Sequence, residues 1–168
     1  MSTLNLISKL AKAAAKEAPE AAPVAAAKYT PDFSAVKVYE LPRKTTVFHT
    51  TDTAPQISTK EDRLIPNSLS AVARSPDYLW GKSAYAIPLP RGTRIGEVNS
   101  IFDLLPEGAQ DTPNSLGALL RKYAEENSLD VLKIRGVGGV GTEWSVLNPE
   151  FLKNATAQER ESFFRKLK

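Results

Sequence analysis

The chain has 168 residues, 22 Lys or Arg against 19 Asp or Glu for a net charge of +3, a single histidine and no cysteine. That length suffices for one domain with its own core. The missing cysteines exclude a disulfide framework, a thiolate nucleophile and a thiolate metal site, and one histidine is too few for a His-based metal cluster, so no metal is expected.

The charges are of mixed sign, which permits an acidic partner without calling for nucleic acid. No apolar run approaches the roughly 18 residues of a membrane span, and the N-terminus lacks the apolar core and cleavage site of a secretory signal. A soluble chain is expected, inside a cell or carried in a particle.

Residues 1 to 18 place Leu6, Leu10 and Ala13, with Ile7 and Ala14, on one helical stripe, while Lys9, Lys12 and Lys16 lie mostly off it. This predicts a short amphipathic helix, able to dock on a partner or to pack on its own domain. The Ala/Pro-rich stretch from Ala18 to Ala27 cannot bury enough apolar area to offset its ordering entropy, and reads as a linker. The chain therefore divides into a tail and linker, 1–28, and a folded domain, 29–168.

Strands are predicted over Val36 to Leu41 and over Thr45-Thr46-Val47-Phe48-His49-Thr50, with Pro42 between them. His49 ends a β-branched run, where a histidine is either structural or functional. Thr51 to Asn67 is polar and reads as a surface loop, long enough for a lid or binding loop. Ser68-Leu69-Ser70 follows, then Ser75-Pro76, which suits a helix start for a short helix toward Lys82 that carries Tyr78 and Trp80. Tyr85 to Pro90 and Arg94 to Val98 are strand-like runs joined by a Pro-Arg-Gly turn, and Pro88 and Pro90 place the first at an edge or a bend.

Thr112-Pro113 opens the clearest helix, with Leu116, Leu119, Leu120, Tyr123 and Ala124 on one stripe. Leu129 to Ile134 is a strand leading into the glycine run from Gly136 to Gly141. A second strand, Trp144 to Leu147, is stopped by Asn148-Pro149. The glycines free the backbone to lie close to a ligand and deliver one carboxylate, Glu143, at the mouth of that strand. Glu143 is the leading candidate site residue, and a plain glycine hairpin with a solvated Glu is the alternative. Pro149 to Lys153 can form one helical turn. Thr156 with Glu159 makes a capping box for a C-terminal helix that carries Phe163, Phe164 and Leu167.

In this order the pieces resemble the ADP-ribosyltransferase family of bacterial toxins, cellular enzymes and bacteriophage-encoded members. The elements are Val47-Phe48-His49-Thr50, Ser68-Leu69-Ser70, Ile87-Pro88-Leu89-Pro90-Arg91-Gly92-Thr93-Arg94-Ile95 and Gly141-Thr142-Glu143-Trp144-Ser145-Val146-Leu147-Asn148-Pro149. The last is similar to the Glu-aromatic-x-x-x-Asn-Pro ending of phage-type members. The resemblance spans residues 36 to 154.

It implies an α+β fold in which a split pair of largely antiparallel sheets forms a cleft for NAD, with peripheral helices. Mono-ADP-ribosyl transfer to a protein acceptor is the implied activity. Glu143 would be the catalytic carboxylate, steadying an oxocarbenium-like ribosyl cation as in glycoside cleavage. His49 and the Thr50 backbone would bind NAD, Ser68 or Ser70 would buttress the carboxylate and ribose, and Tyr78 or Tyr85 would stack on nicotinamide. Arginine-modifying members carry a second Glu or Gln two residues before the catalytic one, and here that position is Gly141.

The resemblance also suggests a setting in host cytoplasm or inside a phage particle. A non-enzymatic virion protein docked through residues 1–28 is the competing reading. The basic residues Arg43, Lys44, Arg63, Arg91 and Arg94 are scattered among acids, so they read as solvated surface rather than as a nucleic-acid footprint.

Overall fold

Thr112 caps a helix here designated α1, Pro113–Glu126, by accepting a hydrogen bond from the Ser115 amide, and proline at the first helical position supplies the right φ without losing a needed donor. Leu116, Leu119, Leu120 and Ala124 are buried along its inner stripe, and Tyr123 stacks on Phe33 with ring centroids 4.4 Å apart. The helix runs as the leucine spacing predicts. This is a computed structural model that describes residues 29–51, 53–60, 63–73, 83–138 and 140–158. The predicted N-terminal helix and linker, the helix from Pro76 to Lys82 with Tyr78, and the helix beyond Glu159 lie outside the described residues.

The fold is α+β: two sheets and one main helix. The strands are β1 (Lys37–Glu40), β2 (Thr45–Thr51), β3 (Leu69–Ala71), β4 (Ser83–Leu89), β5 (Arg94–Val98), β6 (Val131–Val137), β7 (Gly141–Val146) and β8 (Thr156–Gln158). The larger sheet has the order β1-β5-β6-β7-β3 and the smaller β2-β4-β8. Among the described residues only β5 and β6 pair in parallel, and the connection between them carries α1, as a parallel crossover demands. Short 3₁₀ segments, Phe33–Ala35, Ile101–Leu104 and Pro149–Asn154, fill the corners.

Alternation along the strands assigns each face of the larger sheet its own partner. Leu132 and Ile134 point into a cluster with Leu116, Leu120 and Ala124 of α1. Val131, Trp144 and Val146 point the other way, into a cluster with Val47, Ile87 and Leu89 of the smaller sheet. The two sheets also meet edge to edge, because Val72, one residue past β3, exchanges two backbone hydrogen bonds with Phe48 of β2, at 2.8 and 2.9 Å.

Three expectations need correcting. Thr156 does not cap a helix: it pairs with Ala86 and starts β8, where a β-branched residue suits the ladder. The loop ahead of Ser68 is not a surface loop throughout, since Ile65 is 1% exposed and its neighbours pack on α1. A Cβ on Gly117 would lie 1.6 Å from the Leu64 carbonyl oxygen, so helix and loop touch backbone to backbone, and Arg121 Nε donates to the Asn67 carbonyl. Third, β7 begins at Gly141, ahead of the predicted Trp144, which puts Glu143 inside the ladder opposite Ile134 and not at the mouth of the strand.

The edge position expected for the proline-bearing strand holds only at its end. β4 is the middle strand over Ala84–Ala86 and lies beyond β8 from Ile87 on. Phe48 makes its two bonds to Val72, so its pair with Ala86, and by alternation the Thr46–Pro88 pair, is of the non-hydrogen-bonded kind. The N–H that Pro88 lacks is thus one β2 never needed.

Candidate functional site

The glycine run folds as a hairpin turn between β6 and β7. Gly136 and Gly141 both adopt positive φ, 71° and 80°, and the register slips by one between Arg135 and Val137, so the turn needs glycine at these points. Beyond it, Glu143 and Ser145 share one face of β7 with their partners Ile134 and Leu132. Glu143 is 4% exposed, and its Oε2 accepts a long hydrogen bond of 3.4 Å from Ser145 Oγ. The carboxylate is therefore not solvated, as the plain-hairpin alternative required.

Ser145 stands directly opposite Ser70 in the neighbouring β3. The Ser70 carbonyl is reached by His49 Nδ1 at 2.6 Å, and Ser70 Oγ accepts a 3.4 Å bond from Arg63 Nη1. A carbonyl can only accept, so Nδ1 carries the proton and Nε2 of a neutral ring is an acceptor. Burial pulls the His49 pKa below its ordinary value, the bond to the Ser70 carbonyl opposes the shift, and the Arg63 charge adds to it. His49 is held neutral at neutral pH.

Ser68, the other serine of the motif, is fully buried, and its hydroxyl donates to the Ile65 carbonyl at 2.8 Å, so it secures the loop instead of facing the carboxylate. Thr50 sits in β2 opposite Ala84, and Tyr85 in β4 faces His49 across the pair of strands. Tyr78 lies outside the described residues. The structure thus sets the strands of His49, Ser70 and Glu143 side by side: Ser70 and Glu143 share a face through Ser145, His49 meets Ser70 at its backbone carbonyl, and Tyr85 is the partner of His49 in β4.

Sequence reasoning passed over Arg63 as a site residue and counted it among scattered surface cations. The one available signal was its place five residues before Ser68, inside a loop already suspected of binding.

On the opposite face of the larger sheet, an open cleft of about 540 Å³ is lined by Ala73, Lys133, Arg135, Val140, Gly141, Thr142 and Trp144. Strand alternation keeps Glu143 out of that lining. There Lys133 Nζ lies 4.7 Å over the Trp144 ring and 3.3 Å from Glu97 Oε1, and Arg135 Nε lies 3.2 Å from Glu97 Oε2. Tyr39 also donates to Glu97, at 2.8 Å. Burial pushes the Tyr39 phenol up to about 12, helped by the Glu97 carboxylate. Burial also works to raise Glu97, but the Tyr39 bond and the Lys133 and Arg135 cations outweigh it and leave its pKa below the ordinary value.

No group of three or more His, Asp or Glu able to hold a metal ion occurs among the described residues, and no helix among them is long and apolar enough to cross a membrane. In comparisons with known proteins, no family model, no curated protein and no solved structure matches the chain.

Proposed function

We propose that the chain is a mono-ADP-ribosyltransferase that moves ADP-ribose from NAD to a protein acceptor, with Glu143 as its catalytic carboxylate. The observation that carries this reading is the adjacency of three segments far apart in sequence. The strand of His49, the strand of Ser70 continued by Val72, and the strand of Glu143 are consecutive neighbours.

In the reaction, the bond between ribose C1′ and the nicotinamide nitrogen breaks and nicotinamide leaves neutral with the electron pair. The cation left on C1′ is captured by the acceptor nucleophile, whose proton passes to solvent. A buried carboxylate is suited to hold a ribose hydroxyl and to offset the positive charge as it develops, because low surrounding polarity strengthens both effects. The neutral His49, with Nε2 as acceptor, suits a ribose hydroxyl and not a phosphate. Tyr85, the partner of His49 across the strand pair, would offer a ring face to nicotinamide. Gly141 stands where arginine-modifying members have their second Glu or Gln, which favours an acceptor other than arginine.

The test is to incubate the full chain with NAD labelled in the nicotinamide ring. Release of nicotinamide that disappears in Glu143→Gln supports the reading, and an equal rate from both proteins removes it.

A further inference from the structure

We propose that Arg63 is the anion-binding residue of this site, gripping the diphosphate of the dinucleotide from the loop that precedes the Ser70 strand. The inference rests on the NAD reading above and adds the residue that distinguishes a dinucleotide from an uncharged riboside.

Arg63 is partly buried, and its Nε is enclosed without a hydrogen-bond partner. Its Nη1 makes a weak 3.4 Å bond to a neutral hydroxyl, Ser70 Oγ. A guanidinium in such surroundings has lost water and gained little in exchange, an arrangement that favours an incoming anion able to take the fork of N–H donors. The position is built and not accidental. Leu64 is pressed onto α1 at Gly117, Ile65 enters the core, Ser68 ties back to the Ile65 carbonyl and Arg121 holds the Asn67 carbonyl.

The neighbours decide which anion. His49 is close enough for the Arg63 charge to oppose its protonation, so the histidine adds no second cation and offers only an acceptor. Ser70 stands one inter-strand spacing, about 4.8 Å, from Ser145, which holds Glu143. A ribose at Glu143 would leave its attached diphosphate on the side where Arg63 lies. The diphosphate is the only anionic part of NAD, and a bidentate guanidinium is the side chain best matched to it.

The experiment compares NAD with nicotinamide riboside, which has the same scissile bond and no phosphate, on the wild-type full chain, Arg63→Gln and Arg63→Lys. The quantity read is the preference for NAD, the ratio of the two kcat/KM values. Loss of one charge-assisted contact should lower that preference about 10- to 100-fold in Arg63→Gln, with partial recovery in Arg63→Lys. An equal loss on both substrates would assign Arg63 a purely structural role through Ser70 and overturn the proposal, as would an unchanged ratio.

Should the wild type cleave neither substrate, the transferase reading fails. Titration with inorganic pyrophosphate then decides the anion site separately. Saturable, salt-sensitive binding that Arg63→Gln abolishes upholds it, and the same titration curve for both proteins overturns it.

Discussion

His49 Nδ1 lies 2.6 Å from the Ser70 carbonyl oxygen, and this one bond joins the two sheets at the side-chain level and fixes which ring nitrogen bears the proton. The pKa of His49 is lowered in the folded protein, so on acidification the unfolded chain takes up the proton first. Stability linked to His49 is therefore complete above the ordinary histidine pKa of about 6.5 and declines as pH falls from there toward the folded value. Thermal unfolding followed between pH 7.5 and 5 should show this decline in the wild type and a smaller one in His49→Gln. Identical profiles would contradict the assignment.

Glu143→Gln keeps the size of the buried side chain and removes its charge. Electrostatic stabilisers of developing charge are commonly worth about 100- to 1000-fold in rate, so nicotinamide release should drop by that order while far-ultraviolet circular dichroism is unchanged. Ser145→Ala, which deletes only a long 3.4 Å bond to the carboxylate, should cost less, about tenfold or under.

Gly117→Ala sets two effects against each other. Alanine in a helix interior is worth about 1 kcal/mol over glycine, yet the added methyl would sit 1.6 Å from the Leu64 carbonyl oxygen, a backbone atom that no rotamer change can move. Forced separation of packed elements typically costs about 1–3 kcal/mol or more, so the sum should be destabilising, read as a lower urea midpoint. Because the same loop carries Arg63, the variant should also bind NAD more weakly at temperatures where it is still folded.

Glu97 accepts from Tyr39, Lys133 and Arg135 at once. Glu97→Ala should cost about 1–3 kcal/mol, because Lys133 is only 17% exposed and would lose its counter-charge. Its folded pKa is lowered, so its contribution is complete above the unfolded carboxylate value and is lost as pH falls through the folded one. The stability difference between wild type and Glu97→Ala, measured by urea unfolding, should thus shrink below about pH 4.

Elements governed by local rules were legible in the sequence. Thr112-Pro113 and the leucine spacing gave α1 to within a residue, and the β-branched run from Thr45 to Thr50 gave β2. What was not legible depended on partners distant along the chain. Thr156 obeys a helix-capping pattern but meets the unpaired side of Ala86 first, and tertiary pairing overrides a cap worth about 1 kcal/mol. Glu143 was picked out by the glycines before it, yet its burial could not be foreseen, since it follows from the pairing of β7 between β6 and β3, partners distant along the chain. Arg63 carried only the signal of its place in a loop suspected of binding: its role emerges once Leu64 is seen against Gly117 and the guanidinium against Ser70.

The proline at position 88 has an effect at a larger scale. Where β8 ends, the next position of β4 whose main-chain donor would face outward is Pro88, which has none, and the 3₁₀ segment Pro149–Asn154 packs beside the same strand. A foreign segment trying to lengthen the small sheet there meets a missing rung, which guards the molecule against edge-to-edge self-association.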